Sequence, residues 1–264
     1  MSVLRAALPR NRLLRWGAPA LLLLGIAYFF TTHVLPRWFP LAYASAWGAL
    51  GAPDPRNLPE SLRDLPVVLS DSGNPKGPVA ILISGNAGWW GIDDQLAEHL
   101  AQGGVTSIGL NSLGWFIQAR TPEETAGIIK RMADAFDQKR PLVLVGYSFG
   151  ADIAATVYAH LSPELRSRIR LVSLLGLSRR ADYAIGFWKI SDHSQATVAA
   201  VAGIVGPHVQ CFRGIDEGAR SACNLLDPSK VEVITVPGGH HFNGDYAGLA
   251  HRILDGLEAV SKRG

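Results

Sequence analysis

Short apolar runs alternate along most of the chain with segments in which apolar residues recur at helical spacing. The clearest run is Val79–Ile83, which has five consecutive apolar residues between Pro78 and Ser84. A continuous apolar run of this length predicts a strand that is buried on both faces. The next segment, Asp93–Ala101, has its apolar residues at helical spacing and is ended by a glycine pair, so it predicts an amphipathic helix.

The same alternation continues to the end of the chain. Further strands are predicted at Val105–Leu110, Pro141–Val145, Ile169–Leu175, Val209–Phe212 and Val231–Val236. A helix is predicted from Thr121 to about Phe136, because Thr121 is a capping residue followed by proline and two acids. Another helix is predicted from Tyr246 onward. Strands and helices in this order predict an α/β fold, a mostly parallel sheet with helices on both faces. The less regular stretch from Ala181 to Val205 is interpreted as a small cap or lid.

The amino-terminal segment departs from this pattern. Residues 1–15 hold four arginines and no acid, and residues 16–35 are uncharged and largely apolar. About 20 such residues suffice for a helix to cross a bilayer, and positive charge before the helix predicts that the chain beyond it is exported. A cleaved signal peptide is the alternative, and it would also export the rest of the chain. We predict a cytoplasmic basic tail (1–15), a single-pass inner-membrane anchor (16–35), a linker (36–66) and a periplasmic domain (67–264).

Charge and cysteine content narrow the functional classes. The formal net charge of +3 belongs to the terminus, because residues 1–44 hold five basic residues and no acid, whereas the remainder has 20 basic and 22 acidic residues. Since that remainder lacks a Lys/Arg stripe and zinc-finger spacing, we expect no nucleic-acid partner. We also expect no cofactor and no metal, because there is no dinucleotide fingerprint or ligand cluster. In an exported domain, Cys211 and Cys223 are expected to form a disulfide.

One motif carries nucleophilic chemistry. Residues 146–150 read Gly-Tyr-Ser-Phe-Gly, directly after a predicted strand and before a helical pattern. This is the context of a G-x-S-x-G nucleophile elbow, in which a strained turn presents the serine above the sheet. The flanking glycines avoid clashes, and the helix N-terminus favours the negative charge that develops there. The motif therefore predicts an α/β-hydrolase fold with Ser148 as the nucleophile.

Serine is a weak nucleophile without a base, and in this fold the base comes after the last strand. We predict His240 as that base, with His241 as the second candidate. The orienting carboxylate comes between serine and histidine in chain order, so Asp216 or Glu217 is expected to fill this role. The sequence leaves both acids open. The two cysteines bracket this loop, and a disulfide would hold the carboxylate in place.

An oxyanion hole needs two backbone donors beside the nucleophile. The N–H group of Phe149 is one candidate, because Phe149 immediately follows the serine. The second donor is expected from the small-residue loop after the strand Val79–Ile83. Within that loop, Asn86 or Ala87 is our predicted donor.

Several longer motifs resemble one bacterial family. They are Ile-Ser-Gly-Asn-Ala-Gly-Trp at 83–89, Asn-Ser-Leu-Gly-Trp-Phe at 111–116, Arg-Thr-Pro-Glu at 120–123, Gly-Tyr-Ser-Phe-Gly-Ala-Asp at 146–152, the loop between the cysteines, and Pro-Gly-Gly-His-His-Phe-Asn-Gly-Asp-Tyr at 237–246. Over about 79–254 the chain thereby resembles the VirJ/AcvB bacterial virulence proteins. In two places it departs from them. Asn86 and Ala87 replace an acid and one glycine of the family loop, which bears on the preference for lysine over a neutral amino acid. Asn111 stands where the family usually has Asp.

The resemblance implies an exported serine hydrolase. Members of this family are periplasmic and are implicated in hydrolysing lysyl-phosphatidylglycerol, and some are linked to type IV secretion and virulence. The implied substrate is therefore an aminoacyl ester on a membrane lipid, and the implied partners are the inner membrane and type IV secretion components. Two alternatives stay open. One is hydrolysis of another ester or thioester, and the other is a non-catalytic secretion or envelope-assembly factor.

Overall fold

The computed structural model describes residues 57–185 and 193–262. The predicted basic tail, the predicted membrane anchor and most of the predicted linker lie outside the described residues, as do residues 186–192 of the predicted cap. Within the described ranges, no helix combines the length and the hydropathy that crossing a membrane requires.

A seven-stranded sheet forms the centre of the described domain. Its strands are β1 (Val67–Ser70), β2 (Val79–Ile83), β3 (Thr106–Leu110), β4 (Leu142–Tyr147), β5 (Ile169–Leu175), β8 (His208–Gly214) and β9 (Glu232–Val236). Their spatial order is β1-β3-β2-β4-β5-β8-β9, and only β1 pairs antiparallel to its neighbour. The predicted, mostly parallel α/β sheet is therefore confirmed.

Helices cover both faces of this sheet. They are α1 (Ile92–Gln102), α2 (Ser112–Phe116), α3 (Pro122–Asp134), α4 (Phe149–Val157), α5 (Pro163–Arg168), α6 (Thr197–Ala202) and α7 (Tyr246–Ser261). The apolar faces of α1 and α7 pack in one core cluster, whereas α3 and α4 pack in the other. Strand β2 contributes side chains to both clusters, because its successive side chains point to opposite faces of the sheet. All five of its residues are buried, as a strand covered on both faces requires.

The folded domain begins before the first strand. Leu58, Leu62 and Leu65 are buried in the core cluster that contains α3, and Glu60–Leu62 forms a short 3₁₀ helix. Burying one leucine side chain stabilises the folded state by roughly 1.5–3 kcal/mol. Packing of this segment against the domain is therefore favoured over an extended, solvated linker. Residues 57–66 of the predicted linker are thus part of the domain.

The described part of the predicted cap is also packed. Residues Arg180–Ala181 (β6) pair antiparallel with Gln195–Ala196 (β7) in a small separate sheet. Helix α6 comes directly after β7 and packs against α4, with Thr197 and Val201 buried. This portion of the segment therefore supports the helix that begins after the candidate nucleophile.

Candidate active site

The predicted nucleophile elbow is formed by β4 and α4. Ser148 lies between them with φ 54 and ψ −119, a left-handed conformation that few non-glycine residues adopt. A Cβ atom at Gly146 would lie 2.2 Å from the carbonyl oxygen of Gly150, and one at Gly150 would lie 1.9 Å from the carbonyl oxygen of Ile83. Gly146 therefore lets the backbone turn this tightly, and Gly150 lets the start of α4 lie against the end of β2.

Ser148 is hydrogen-bonded to the imidazole of His240. The Oγ of Ser148 lies 2.7 Å from Nε2 of His240, which comes after β9. The other ring nitrogen, Nδ1, lies 2.8 Å from Oε1 of Glu217. In a neutral imidazole that carries its proton on Nδ1, Nδ1–H donates to the carboxylate and Nε2 accepts from the serine hydroxyl. The three side chains thus have the connectivity of a Ser-His-acid triad.

Glu217, and not Asp216, is the acid that contacts His240. Glu217 is buried, and the Gly214 N–H donates to its Oε2 at 2.9 Å. Burial on its own would raise the pKa of Glu217, but the hydrogen bonds from His240 and Gly214 outweigh it and hold the pKa below its ordinary value. The side chain of Asp216 is exposed, and its backbone N–H donates to the Gly238 carbonyl at 3.0 Å.

The acid is carried by a loop that a disulfide closes. Cys211 in β8 is bonded to Cys223, with a Cα–Cα distance of 5.7 Å, as the sequence predicted. Glu217 lies between them in the 3₁₀ segment Ile215–Arg220. The disulfide therefore links the strand before Glu217 to the turn after it.

His241 does not contact Ser148. Its Nδ1 lies 2.8 Å from the hydroxyl of Tyr147, and that hydroxyl is 3.4 Å from the His240 carbonyl oxygen. Burial raises the pKa of Tyr147, so the phenol keeps its proton. These hydrogen bonds of Tyr147 connect the loop that carries both histidines to the end of β4. Sequence reasoning did not single out Tyr147, although its place directly before the nucleophile was a usable signal.

A cavity of about 400 Å³ opens beside the nucleophile. Ser148, Phe149 and His240 line it together with Asn86. Phe149 is the first residue of α4, so its N–H has no acceptor within the helix and is free to bind a substrate oxygen. Asn86 is exposed at the cavity wall, whereas the predicted alternative Ala87 is exposed outside the lining. The predicted oxyanion donors Phe149 and Asn86 are thus brought together with Ser148.

One further carboxylate lines this cavity. Asp152 lies one turn after Ser148 in α4 and is 7% exposed. It accepts hydrogen bonds from the backbone N–H and the hydroxyl of Ser178, at 2.8 and 2.6 Å. Burial raises the pKa of Asp152 to about 7 and outweighs these two bonds. The sequence contained Asp152 only as the last letter of a family motif, without a role.

No metal centre accompanies the site in the described ranges, where no three His, Cys, Asp or Glu side chains come together as ligands would.

Comparison with known proteins identifies both family and fold. The family model described as "Bacterial virulence protein (VirJ)" matches residues 77–261, which confirms the resemblance carried by the sequence motifs. No curated protein matches the chain.

Three solved structures illustrate the shared fold. Est1E from Butyrivibrio proteoclasticus is 16% identical, with a TM-score of 0.51 over 74% of this chain and 94% of that chain. A putative dienelactone hydrolase from Klebsiella pneumoniae is 14% identical, with a TM-score of 0.54 over 73% and 92%. The thioesterase domain from the curacin biosynthetic pathway is 15% identical, with a TM-score of 0.53 over 72% and 94%. At these identities the similarity establishes the α/β-hydrolase fold.

Proposed function

The chain belongs to the VirJ family of bacterial virulence proteins, and on that basis we propose that it is a serine ester hydrolase that acts through Ser148, His240 and Glu217. The observation that carries this proposal is the continuous pair of hydrogen bonds from Ser148 to His240 and from His240 to Glu217. The strained elbow and the adjacent cavity support it, since a nucleophile must be both activated and accessible.

The reaction would proceed in two halves. Ser148 attacks the ester carbonyl while Nε2 of His240 takes its proton, and the same nitrogen then donates that proton to the departing alcohol. Water next attacks the acyl-enzyme, again with His240 as base, and releases the acid. Glu217 holds the imidazole in the required tautomer, and the N–H groups of Phe149 and Asn86 stabilise the oxyanion.

The substrate that we propose is an aminoacyl-phosphatidylglycerol, with lysyl-phosphatidylglycerol as the first compound to test. The family resemblance of the sequence motifs supports this choice, and so does the predicted membrane anchor at 16–35, which would hold the domain at a lipid surface. The proposed location is the inner membrane with the hydrolase domain in the periplasm. Type IV secretion components are the proposed protein partners.

The test uses the full-length chain, purified in detergent and reconstituted with liposomes that contain lysyl- or alanyl-phosphatidylglycerol. Wild-type protein is expected to release free amino acid, and Ser148→Ala is expected to release none above the lipid-only control. Reaction with a fluorophosphonate probe reports the activated serine independently of the substrate.

The two readouts separate the candidate functions. If the probe labels Ser148 but no amino acid is released, the serine hydrolase proposal stands and the lipid substrate is wrong. Another ester or thioester would then be the substrate. If neither labelling nor release is found, the serine hydrolase proposal is wrong, and a binding role in secretion or envelope assembly takes its place.

A further inference from the structure

Asp152 is a buried carboxylate in the candidate active site that takes no part in the proposed hydrolysis. It lines the same cavity as Ser148 and His240 and lies four residues after Ser148. Four residues of helix rise about 6 Å, which is comparable to the distance from an ester carbonyl to an amino group at the ε position of its acyl chain. Carboxylates are seldom buried without a group that offsets their lost hydration, so the groups around Asp152 determine what it can bind.

The hydrogen-bond donors to Asp152 are both neutral. They are the backbone N–H of Ser178, which donates to Oδ1, and the Ser178 hydroxyl, which donates to Oδ2. Among the described residues, no lysine or arginine forms an ion pair with this carboxylate. An ionised carboxylate has about four lone-pair positions, so two of them are available to a further donor. Burial without a cationic partner also explains why the pKa of Asp152 is raised to about 7.

The other charges of the cavity favour a cation over an anion. Asp182 is a second carboxylate in the lining, and it and His240 are the charged groups that act on Asp152 most strongly. Arg180 also lines the cavity, but its Nε and Nη2 donate to the Ser194 hydroxyl at 3.1 and 2.9 Å. The wall beside the nucleophile therefore carries two carboxylates against one guanidinium.

We propose that Asp152 is a specificity-determining residue, which binds an ammonium group on the acyl half of the ester while Ser148 attacks the carbonyl. This inference rests on the proposed function and adds to it the residue that selects a positively charged acyl group.

The test compares esters that differ only in one ammonium group. The methyl esters of propionic acid and alanine form one pair, which differs in the α-ammonium. The methyl esters of hexanoic acid and 6-aminohexanoic acid form the second pair, which differs in the ε-ammonium. We would measure kcat/KM for each ester with full-length wild type, Asp152→Asn and Ser148→Ala.

We expect Asp152→Asn to reduce kcat/KM for the charged member of at least one pair by about 10- to 100-fold relative to its uncharged partner, the range of one charge-assisted hydrogen bond. If both members of each pair decline by the same factor, or if neither declines, Asp152 does not select the ammonium and the inference is wrong. Serine-dependent hydrolysis of the uncharged esters reports on the proposed function separately. If neither the uncharged nor the charged esters are hydrolysed, both proposals are wrong.

Two control variants separate selectivity from loop positioning. Ser178→Ala removes a hydrogen bond of Asp152 but keeps its charge, so the preference for charged esters should persist. A purely structural role of Asp152 predicts that Ser178→Ala and Asp152→Asn have the same effect. Asp93→Asn removes a buried carboxylate that does not line the cavity, and it should leave the preference unchanged.

A second selective variant is available if Asp152→Asn does not fold, as judged by circular dichroism. Asp182→Asn changes the other carboxylate of the same wall, and it should produce a smaller loss that is again confined to the charged esters. An equal loss for charged and uncharged esters would contradict the inference.

Discussion

At the scale of single residues, the imidazole of His240 is held by contacts on several sides. Ser148 and Glu217 bond its two nitrogens, and the Tyr147 ring lies 5.5 Å from it between centroids. Gly176 leaves room for the ring, because a Cβ atom there would lie 2.7 Å from Cε1 of His240. A base that is fixed in this way loses little entropy when the reaction begins.

The contact with Glu217 gives the first residue-scale prediction. Glu217→Gln keeps the shape of the side chain but removes the charge that fixes the imidazole tautomer. We expect kcat to decrease on the order of 10⁴-fold, as when the orienting carboxylate of a serine hydrolase is replaced. Release of amino acid from liposomes, or ester hydrolysis in detergent, measures the effect.

The neighbouring acid is the matched control. Asp216→Asn changes an exposed carboxylate one position away, and we expect kcat to change by less than about threefold because exposed substitutions rarely perturb a site. A large loss in Asp216→Asn together with a small one in Glu217→Gln would assign the acid's role to Asp216.

These residues also show where sequence reasoning stops. The position of His240 directly after a glycine pair favours it over His241, and the structure brings His240 to Ser148. Asp216 and Glu217 could not be separated, since adjacent side chains of a 3₁₀ segment point in different directions and only the fold decides which one faces inward. Asp152 had no signal of its own, because its role depends on a cavity that residues distant in sequence complete.

At the scale of elements, the loop between β8 and β9 combines a triad residue with a covalent crosslink. The bond between Cys211 and Cys223 spans 12 positions of sequence, and both side chains are buried. A crosslink over a loop of this length stabilises a folded chain by about 3 kcal/mol. Its placement around Glu217 means that the same bond stabilises the domain and restricts the acid.

This loop gives the second prediction. A Cys211→Ala/Cys223→Ala double variant is expected to lose about 3 kcal/mol of unfolding free energy, and its kcat should also fall because Glu217 is held less firmly. Urea unfolding and ester hydrolysis, each with and without a thiol reductant, measure both effects. The reductant should affect wild type and leave the double variant unchanged. An equal response of the two proteins would contradict a role for this bond.

Element prediction succeeded where the pattern was uninterrupted. Val79–Ile83 and Ile169–Leu175 are strands with the predicted bounds, because a strand that is covered on both faces needs apolar residues at nearly every position. Strand β1 and helices α2 and α5 were not singled out. Each has six residues or fewer and lacks an apolar run as long as that of Val79–Ile83, so its pattern does not distinguish a period of two from one of 3.6.

At the scale of the whole molecule, the site lies where several strands end together. Strands β4, β8 and β9 run parallel and deliver Ser148, Glu217 and His240 at their carboxyl ends. The mostly parallel sheet therefore brings together residues that are up to 92 positions apart in sequence. The strand order from β1 to β9 could not be predicted, because it depends on pairing between strands that are not neighbours in the chain.

Two buried carboxylates give a whole-molecule prediction on pH. Burial raises the pKa of Asp93 and Asp152 from 3.8 to about 7, so the folded chain keeps protons that the unfolded chain releases between these values. The free energy of unfolding should therefore decrease as pH rises through this window, by up to about 4 kcal/mol per group. Glu217 acts in the opposite direction, because its lowered pKa contributes stability that is lost only as pH falls below its ordinary value.

Urea unfolding between about pH 4.5 and 7.5 tests this prediction. For Asp93→Asn and Asp152→Asn, the free energy of unfolding should decrease less steeply with pH than it does for wild type. Each variant lacks one of the two carboxylates that keep a proton in the folded chain. Curves that run parallel to wild type over the whole range would show that neither carboxylate titrates in that window.

The crosslinked loop has a consequence for when the proposed enzyme becomes active. The hydrogen bond between Ser148 and His240 does not involve sulfur, so we expect it to form in a newly made chain whose two cysteines are still thiols. The third member of the triad would then stay loosely held until oxidation joins the cysteines. With the periplasmic location that we propose, disulfide formation would serve as a maturation step, because the cytosol is reducing and the bacterial periplasm is oxidising.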